Sequence, residues 1–353
     1  MRPILILHTG GTIGMQPGDR GLQPDPDFAG KLRAHLAGEL IGELIGNSAN
    51  SLPVDIATLP PIDSANLQPK HWQKIGQALL AAWDEHAGFV VLHGTDTLVW
   101  SAAALSFMLQ GTDKPVVFSG AQIPLHQPGS DAPANLRLAL LAAAQPQLKE
   151  VCIAFGGRLL RGNRARKIDA QDFAAFASPN YPDLGTLNAD GSVAFHVEHF
   201  LPPSRKRFRV PQFLPHAVAM LPLYPSISAH SIQALLASPG LRALVLQSYG
   251  AGNVPEADTA FIASLRAARQ NGILLANTTQ CPRGHVAQGT YATSHILDQL
   301  GVIPLADITP EAAYAKLNFL LASEAGIQRT REKLACSLAG EMNDAVSFHA
   351  ENA

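Results

Sequence analysis

Apolar residues fall into two kinds of run along this chain. Short, nearly unbroken apolar stretches occupy residues 4–8, 54–59, 88–93, 115–120 and 150–155. Runs of that length, apolar on both faces, read as strands buried in a parallel sheet. Between them lie longer stretches with apolar residues every three or four positions. Residues 69–86 put Trp72, Ile75, Leu79 and Trp83 on one face, with Pro69 as a first-turn proline. Residues 97–110 and 134–144 follow the same rule. Strand–helix alternation of this kind predicts an α/β fold with a mainly parallel sheet flanked by helices.

The pattern breaks near residue 200. Pro202, Pro203 and Pro211 flank a basic cluster of Arg205, Lys206, Arg207 and Arg209, and helix cannot persist through such a segment. Residues 202–216 read as a linker between a larger N-terminal α/β domain (1–201), which is expected to hold the chemistry, and a smaller C-terminal α/β domain (217–353). In the second part, residues 218–221, 243–247 and 272–276 read as strands, and 231–236, 257–269 and 310–322 as helices.

Composition narrows the classes. Of 353 residues, 47% are hydrophobic and only 15% charged, which excludes a disordered chain. A net charge of −2 gives no general basic field, and a lone Phe208 beside the basic cluster is thin support for nucleic-acid binding; a solvated linker face explains it better. Cys152, Cys281 and Cys336 are scattered, so neither a disulfide framework nor a CxxC metal pair is present. His196-Val197-Glu198-His199 has no helical zinc spacing, so no metal is expected. No apolar run approaches the ~18 residues of a membrane span, and the first apolar run is too short for a signal-peptide core. A cytoplasmic protein with no membrane partner is expected. There are five tyrosines, none before Tyr181.

Ligands of open parallel sheets bind on the loops that leave the carboxyl ends of the strands. Two such loops stand out: Thr9-Gly10-Gly11-Thr12-Ile13-Gly14 and His93-Gly94-Thr95-Asp96-Thr97. Neither carries a Walker GxxxxGK[ST] or a GxGxxG fingerprint, which disfavours a nucleotide. Instead Thr12, Thr95, Thr97 and Asp96 cluster at adjacent strand ends. A threonine hydroxyl is a nucleophile only when a base removes its proton. Asp96 adjoins Thr95, and Lys167 ends a basic loop with Arg158, Arg161, Arg164 and Arg166. A lysine buried beside other cations releases its proton more easily, although a solvated basic hairpin is the plainer reading of that loop. Asp63 and Ser64 read as a capping turn or as ligand donors.

Taken together, these loops resemble the L-asparaginase family, in particular its cytoplasmic type I branch. The matching stretches are TGGTIGM (9–15), Asp63-Ser64, HGTDT (93–97), ALSFML (104–109), QIPL (122–125), Ser130-Asp131, RGNRARK (161–167), FAAFASP (173–179), SYGAGN (248–253) and TQC (279–281). They run through both domains in family order. The resemblance implies a threonine-dependent hydrolysis of L-asparagine to L-aspartate and ammonia, with minor activity on glutamine and no cofactor. Thr12 matches the nucleophile, and Thr95, Asp96 and Lys167 match the second catalytic group. Ser64, with Asp63 beside it, matches the holder of the α-carboxylate; Asp96 also matches the partner of the α-ammonium. The main chain near Ala121 matches the part that meets the leaving amide. Asn253 matches a residue that reaches a neighbouring subunit's site, which implies a homodimer or homotetramer.

Two departures follow. Many members carry a tyrosine in the flap after TGGTIG, with a role in moving the Thr12 proton. Here the matching residue is Leu22, which cannot transfer one. Allosteric members use a threonine and an arginine where this chain has Arg166 and Gln247. Lys167, acting through Thr95, is therefore expected to supply the base, unless a tyrosine enters from elsewhere. Two rival readings are an amidohydrolase subunit of tRNA-dependent amidation and an amino-acid sensor that kept the pocket and lost turnover. The first is disfavoured because its usual extra N-terminal domain has no counterpart ahead of the strand near Ile4.

Overall fold

A computed structural model describes residues 2–19, 21–37, 52–288 and 292–343. Arg20 of the flap and the end of the expected C-terminal domain, 344–353, lie outside the described residues. The chain divides into two compact units, Met1–Val210 and Pro211–Ala353.

The first unit is organised by an eight-stranded sheet. Its order is Val193–Phe195, Gly185–Leu187, Arg158–Arg161, Val151–Phe155, Val116–Ser119, Gly88–Leu92, Ile4–His8 and Val54–Thr58. From Val151–Phe155 to Val54–Thr58 every pair is parallel. Ile4–His8 and Gly88–Leu92 are buried at every position, which explains their unbroken apolar sequences. Helices Pro69–Ala81, Leu98–Met108 and Ala132–Ala143 supply the connections. Pro69 and Pro133 sit in first turns, where a missing N–H costs nothing. Ile6, Val90, Val117, Leu136 and Leu140 form part of the core between sheet and helix.

Three features were not legible in the apolar pattern. Residues 158–161 are an antiparallel strand rather than part of a loop, and the sheet continues antiparallel through 185–187 and 193–195. Helix Leu98–Met108 stops so that Leu109–Gln110 can pair with Arg207–Phe208. Those two residues fall in the segment read as a linker, so its first part belongs with the first unit. The flap is an antiparallel hairpin, Met15–Gly18 with Gly21–Pro24, in which Pro17 faces Leu22.

The second unit holds a parallel four-stranded sheet in the order Val218–Pro222, Ala243–Ser248, Leu274–Thr279 and Ile303–Pro304. Phe261, Leu265, Leu244 and Leu246 anchor its core. Asp258 caps helix Thr259–Gln270 through the N–H groups of Ala260 and Phe261 at 3.0 Å each. No helix among the described residues is long and apolar enough to cross a membrane.

Candidate active site

Strand order places the site. The chain passes from Ile4–His8 to Val54–Thr58 on one side, then crosses back to Gly88–Leu92 on the other. The order therefore reverses between Ile4–His8 and Gly88–Leu92, and open α/β sheets bind ligands at such a switch point. The loop holding Thr12 leaves one of these strands and the loop holding Thr95 leaves the other. The loop with Asp63-Ser64 and the loop with Ala121 leave the two strands on either side.

Glycines let these loops meet. Gly11 has φ +92°, and a Cβ there would lie 2.4 Å from Gly94 N. A Cβ on Gly10 would lie 2.4 Å from Ile62 O, and one on Gly94 would lie 2.5 Å from Ser64 Oγ. Only glycine allows such approaches. The backbone of Thr9–Thr12 is thus pressed between the Ile62–Ser64 loop and the Gly94 loop. Thr12 opens a single 3₁₀ turn, Thr12–Gly14, and is half-buried. Thr97 Oγ1 donates to Ser64 O at 2.8 Å, tying the second and third loops together. Ser64 is buried; Asp63 is exposed and accepts from Ala65 N at 3.0 Å, so it acts as the cap of its turn.

Lys167 comes from the chain after Arg158–Arg161, three strands across the sheet from Gly88–Leu92. It lies on a short hairpin in which Lys167 pairs with Phe176. Its Nζ donates to Thr95 Oγ1 at 3.0 Å and to Asp96 Oδ1 at 2.8 Å. Thr95 is buried, the Lys167 side chain is 16% exposed and that of Asp96 is 62% exposed. The structure therefore joins Thr95, Asp96 and Lys167, residues 71–72 positions apart in sequence. Thr95 Oγ1 also faces Gln122 Oε1 at 3.4 Å, and Gln122 Nε2 reaches Asp172 O at 3.2 Å.

The basic loop is not a solvated hairpin. Arg161 and Arg164 are buried, and Arg161 Nε donates to Glu150 Oε2 at 2.6 Å. Arg158 makes a two-pronged pair with Asp183, 2.7 Å at each prong. Two of the cations expected to crowd Lys167, Arg158 and Arg161, are held by the carboxylates of Asp183 and Glu150, and the charge that touches Lys167 is Asp96. Tyr181, the first tyrosine of the chain, is occupied elsewhere: Arg161 stacks 4.0 Å from its ring centre and its hydroxyl donates to His199 O at 3.0 Å.

Ala121 is buried between two tethers. Asp131 accepts from the N–H groups of Gln122 and Ile123 at 3.0 Å, and Asn135 Nδ2 donates to Gly120 O at 3.1 Å. Asn135 Oδ1 also accepts from Gly156 N at 2.9 Å. In sequence Asp131 stands only inside a matching motif, and nothing in the motifs marks Asn135. The available signal was an asparagine on the mainly apolar helix Ala132–Ala143, whose one other polar residue is Arg137.

The flap is pinned at its base. Asp25 N donates to Gly14 O at 2.9 Å, and the Asp25 carboxylate takes Lys31 Nζ at 2.6 Å. Burial opposes the Asp25 charge, yet the Lys31 bond and the Asp27 N–H outweigh it and hold the carboxyl below its usual range. Leu22 is 47% exposed on the hairpin. Asn253 belongs to the second unit, where it bridges to Tyr249 in the turn after Ala243–Ser248.

Two family models match the chain. One described as Asparaginase, N-terminal, matches residues 3–200, and one described as Glutaminase/Asparaginase C-terminal domain matches residues 217–334. The chain belongs to the asparaginase family. Among curated relatives, L-asparaginase 1 of Escherichia coli K12 is 39% identical over 346 residues, covering 97% of this chain and 98% of the relative. A 60 kDa lysophospholipase of Mus musculus is 36% identical, over 97% of this chain and 62% of its own length. Among solved structures, L-asparaginase I of Vibrio cholerae superposes with a TM-score of 0.84 at 34% identity, covering 97% of this chain and 99% of that one.

Proposed function

We propose that this asparaginase-family chain hydrolyses L-asparagine to L-aspartate and ammonia through an ester on Thr12, with glutamine as a minor substrate. The observation that carries the reading is the Lys167 Nζ bridge to Thr95 Oγ1 and Asp96 Oδ1, set at the strand ends beside the Thr12 loop.

In the first half, Thr12 Oγ attacks the side-chain amide carbon of asparagine and its proton passes toward the leaving nitrogen. Backbone N–H groups of the two glycine-rich loops stabilise the oxyanion; one such donor is worth about 3 kcal/mol. The carbon–nitrogen bond breaks, ammonia leaves past Ala121, and a β-aspartyl ester remains on Thr12. In the second half, water gives up a proton through Thr95 to Lys167 and attacks the ester, releasing aspartate and restoring Thr12. Asp96 orients Lys167 and faces the α-ammonium of the substrate, while Ser64, with Asp63 beside it, holds the α-carboxylate. Leu22 offers no proton carrier, so Lys167 serves both halves. Hydroxyl, amine and backbone groups cover every step, and the scheme calls for no metal or cofactor.

The protein works in the cytoplasm as a homodimer or homotetramer in which Asn253 of one subunit completes the site of another. Its ligands are small amino acid amides rather than nucleic acid or membrane.

The test is ammonia release with L-asparagine, L-glutamine and D-asparagine, beside fatty-acid release from a lysophospholipid. Rapid ammonia formation from L-asparagine that disappears in Thr12→Ala is the expected result. Tight binding of asparagine without ammonia would instead mark a sensor. Fatty-acid release alone would make it a lipid esterase.

A further inference from the structure

His93 is a buried titratable group that the reaction scheme leaves unused. It is 1% exposed, and burial lowers its pKa from the ordinary 6.5 to about 4, so the ring is neutral at neutral pH. A neutral imidazole has one N–H and one bare nitrogen, and its partners decide which is which. Nδ1 lies 2.8 Å from Gly94 O, which can only accept, so Nδ1 carries the proton. Nε2 lies 2.9 Å from Ser101 Oγ. Ser101 in turn accepts from Trp72 Nε1 at 3.1 Å, which leaves its own hydroxyl proton to donate to His93 Nε2. Trp72, Ser101 and His93 are all buried, and Ser101 is fully so. The three groups form one directed chain of donors ending at Gly94 O.

That end matters because of peptide geometry. No peptide bond in the described structure is cis, and in a trans peptide the C=O and the N–H of one unit point in opposite directions. The Gly94 carbonyl is held toward the buried imidazole. The N–H of the same unit belongs to Thr95 and therefore points away from the core. No acceptor takes the Thr95 N–H among the described residues.

We infer that His93, backed by Ser101 and Trp72, is a positioning residue that fixes the Gly94–Thr95 peptide with its N–H turned toward the substrate side. This rests on the proposed role of Thr95 in the site. A flip of this peptide would turn a carbonyl oxygen toward the developing oxyanion, and only glycine at 94 makes such a flip cheap. The Trp72–Ser101–His93 chain removes that freedom.

Two measurements test it on the full-length protein. Long-range ¹⁵N–¹H spectra of the histidine rings should show His93 protonated at Nδ1 at pH 7; a proton at Nε2 overturns the inference whether or not the chain is active. Steady-state kinetics with L-asparagine should then separate kcat from KM. His93→Leu should lower kcat on the order of 10- to 100-fold with little change in KM. His93→Asn, whose Nδ2 can replace the Nδ1 donor, should recover most of that loss. Should His93→Leu fail to fold, Ser101→Ala serves in its place, with a several-fold fall in kcat and a mixed ring tautomer expected. Wild-type kcat in the folded His93→Leu variant, or in Ser101→Ala, overturns the inference. So does His93→Asn being as slow as His93→Leu. Thr12→Ala keeps the two readings apart: its activity tests the acyl-enzyme, and the His93 variants test the peptide.

Discussion

Lys167 shows how far single residues constrain the chemistry. Its Nζ is shared between an alcohol at 3.0 Å and a carboxylate at 2.8 Å, the arrangement a proton shuttle needs. If Lys167 is the proposed base, Lys167→Met removes it while keeping the bulk, so turnover of asparagine should fall at least 100-fold, as the loss of a general base predicts. Near-native ammonia release from that variant would end the role given to Lys167. Leu22→Tyr in the same assay should leave Lys167→Met inactive, because a flap tyrosine alone does not restore the Thr95 relay. Two buried histidines set a pH limit on the fold. His8 and His93 each have a pKa near 4 in the folded chain against 6.5 when exposed. Between those values the unfolded chain binds more protons, so stability is complete above about pH 6.5 and is lost as pH falls toward 4. The slope is about 1.4 kcal/mol per pH unit for each histidine. Urea midpoints measured from pH 7 to pH 4.5 should fall accordingly, and His93→Asn should flatten part of the decline.

At the scale of elements, the site is a contact between loops rather than a property of any one. Gly10, Gly11 and Gly94 each stand where a Cβ would meet another loop at 2.4 to 2.5 Å. Those at 10 and 11 also have positive φ, which strains any other residue. Gly11→Ala should therefore separate the Thr12 and Thr95 loops and abolish ammonia release, while the parallel sheet survives by circular dichroism. An alanine variant with wild-type turnover would show that the loops do not depend on that approach. The antiparallel strand Arg158–Arg161 adds a second lesson. Its arginines read as a solvated loop because their partners, Glu150 and Asp183, lie 11 and 25 positions away. A basic run declares its exposure only when its acids are found.

For the whole molecule, two predictions concern assembly and anchoring. If Asn253 completes a neighbour's site, mixing Thr12→Ala with Asn253→Ala subunits after reversible dissociation should restore roughly a quarter of wild-type activity. Half of the dimers are then mixed, and one of their two sites is intact. No recovery would assign each site to a single chain. In the second unit, Lys316 and Glu341 form a fully buried pair at 2.7 Å, and Lys316 also donates to Leu334 O and Cys336 O. Glu341 accepts from the N–H groups of Leu338 and Ala339. This pair fastens the chain after helix Ile327–Leu334 to helix Pro310–Ser323. Lys316→Met leaves the buried Glu341 carboxylate without its counter-charge and should cost about 3–5 kcal/mol in urea unfolding; adding Glu341→Gln should return part of it.

Alternating buried runs and amphipathic stretches were enough to declare an α/β chain in two parts, because strand and helix periods are local properties of the backbone. The glycine–threonine loops and their order along the chain were enough to declare the family. Apolar pattern and spacing could not say that Lys167 touches Thr95 and Asp96; only the family resemblance implied that they act together. That contact spans some seventy residues and depends on an antiparallel extension with no apolar signature. Nor could it tell His93 from an ordinary core histidine, since its meaning lies in Ser101 and Trp72 behind it and in Gly94 beside it. What only the tertiary structure decided was the direction of protons and peptides, because hydrogen bonds between distant residues exist only once the strands are placed side by side.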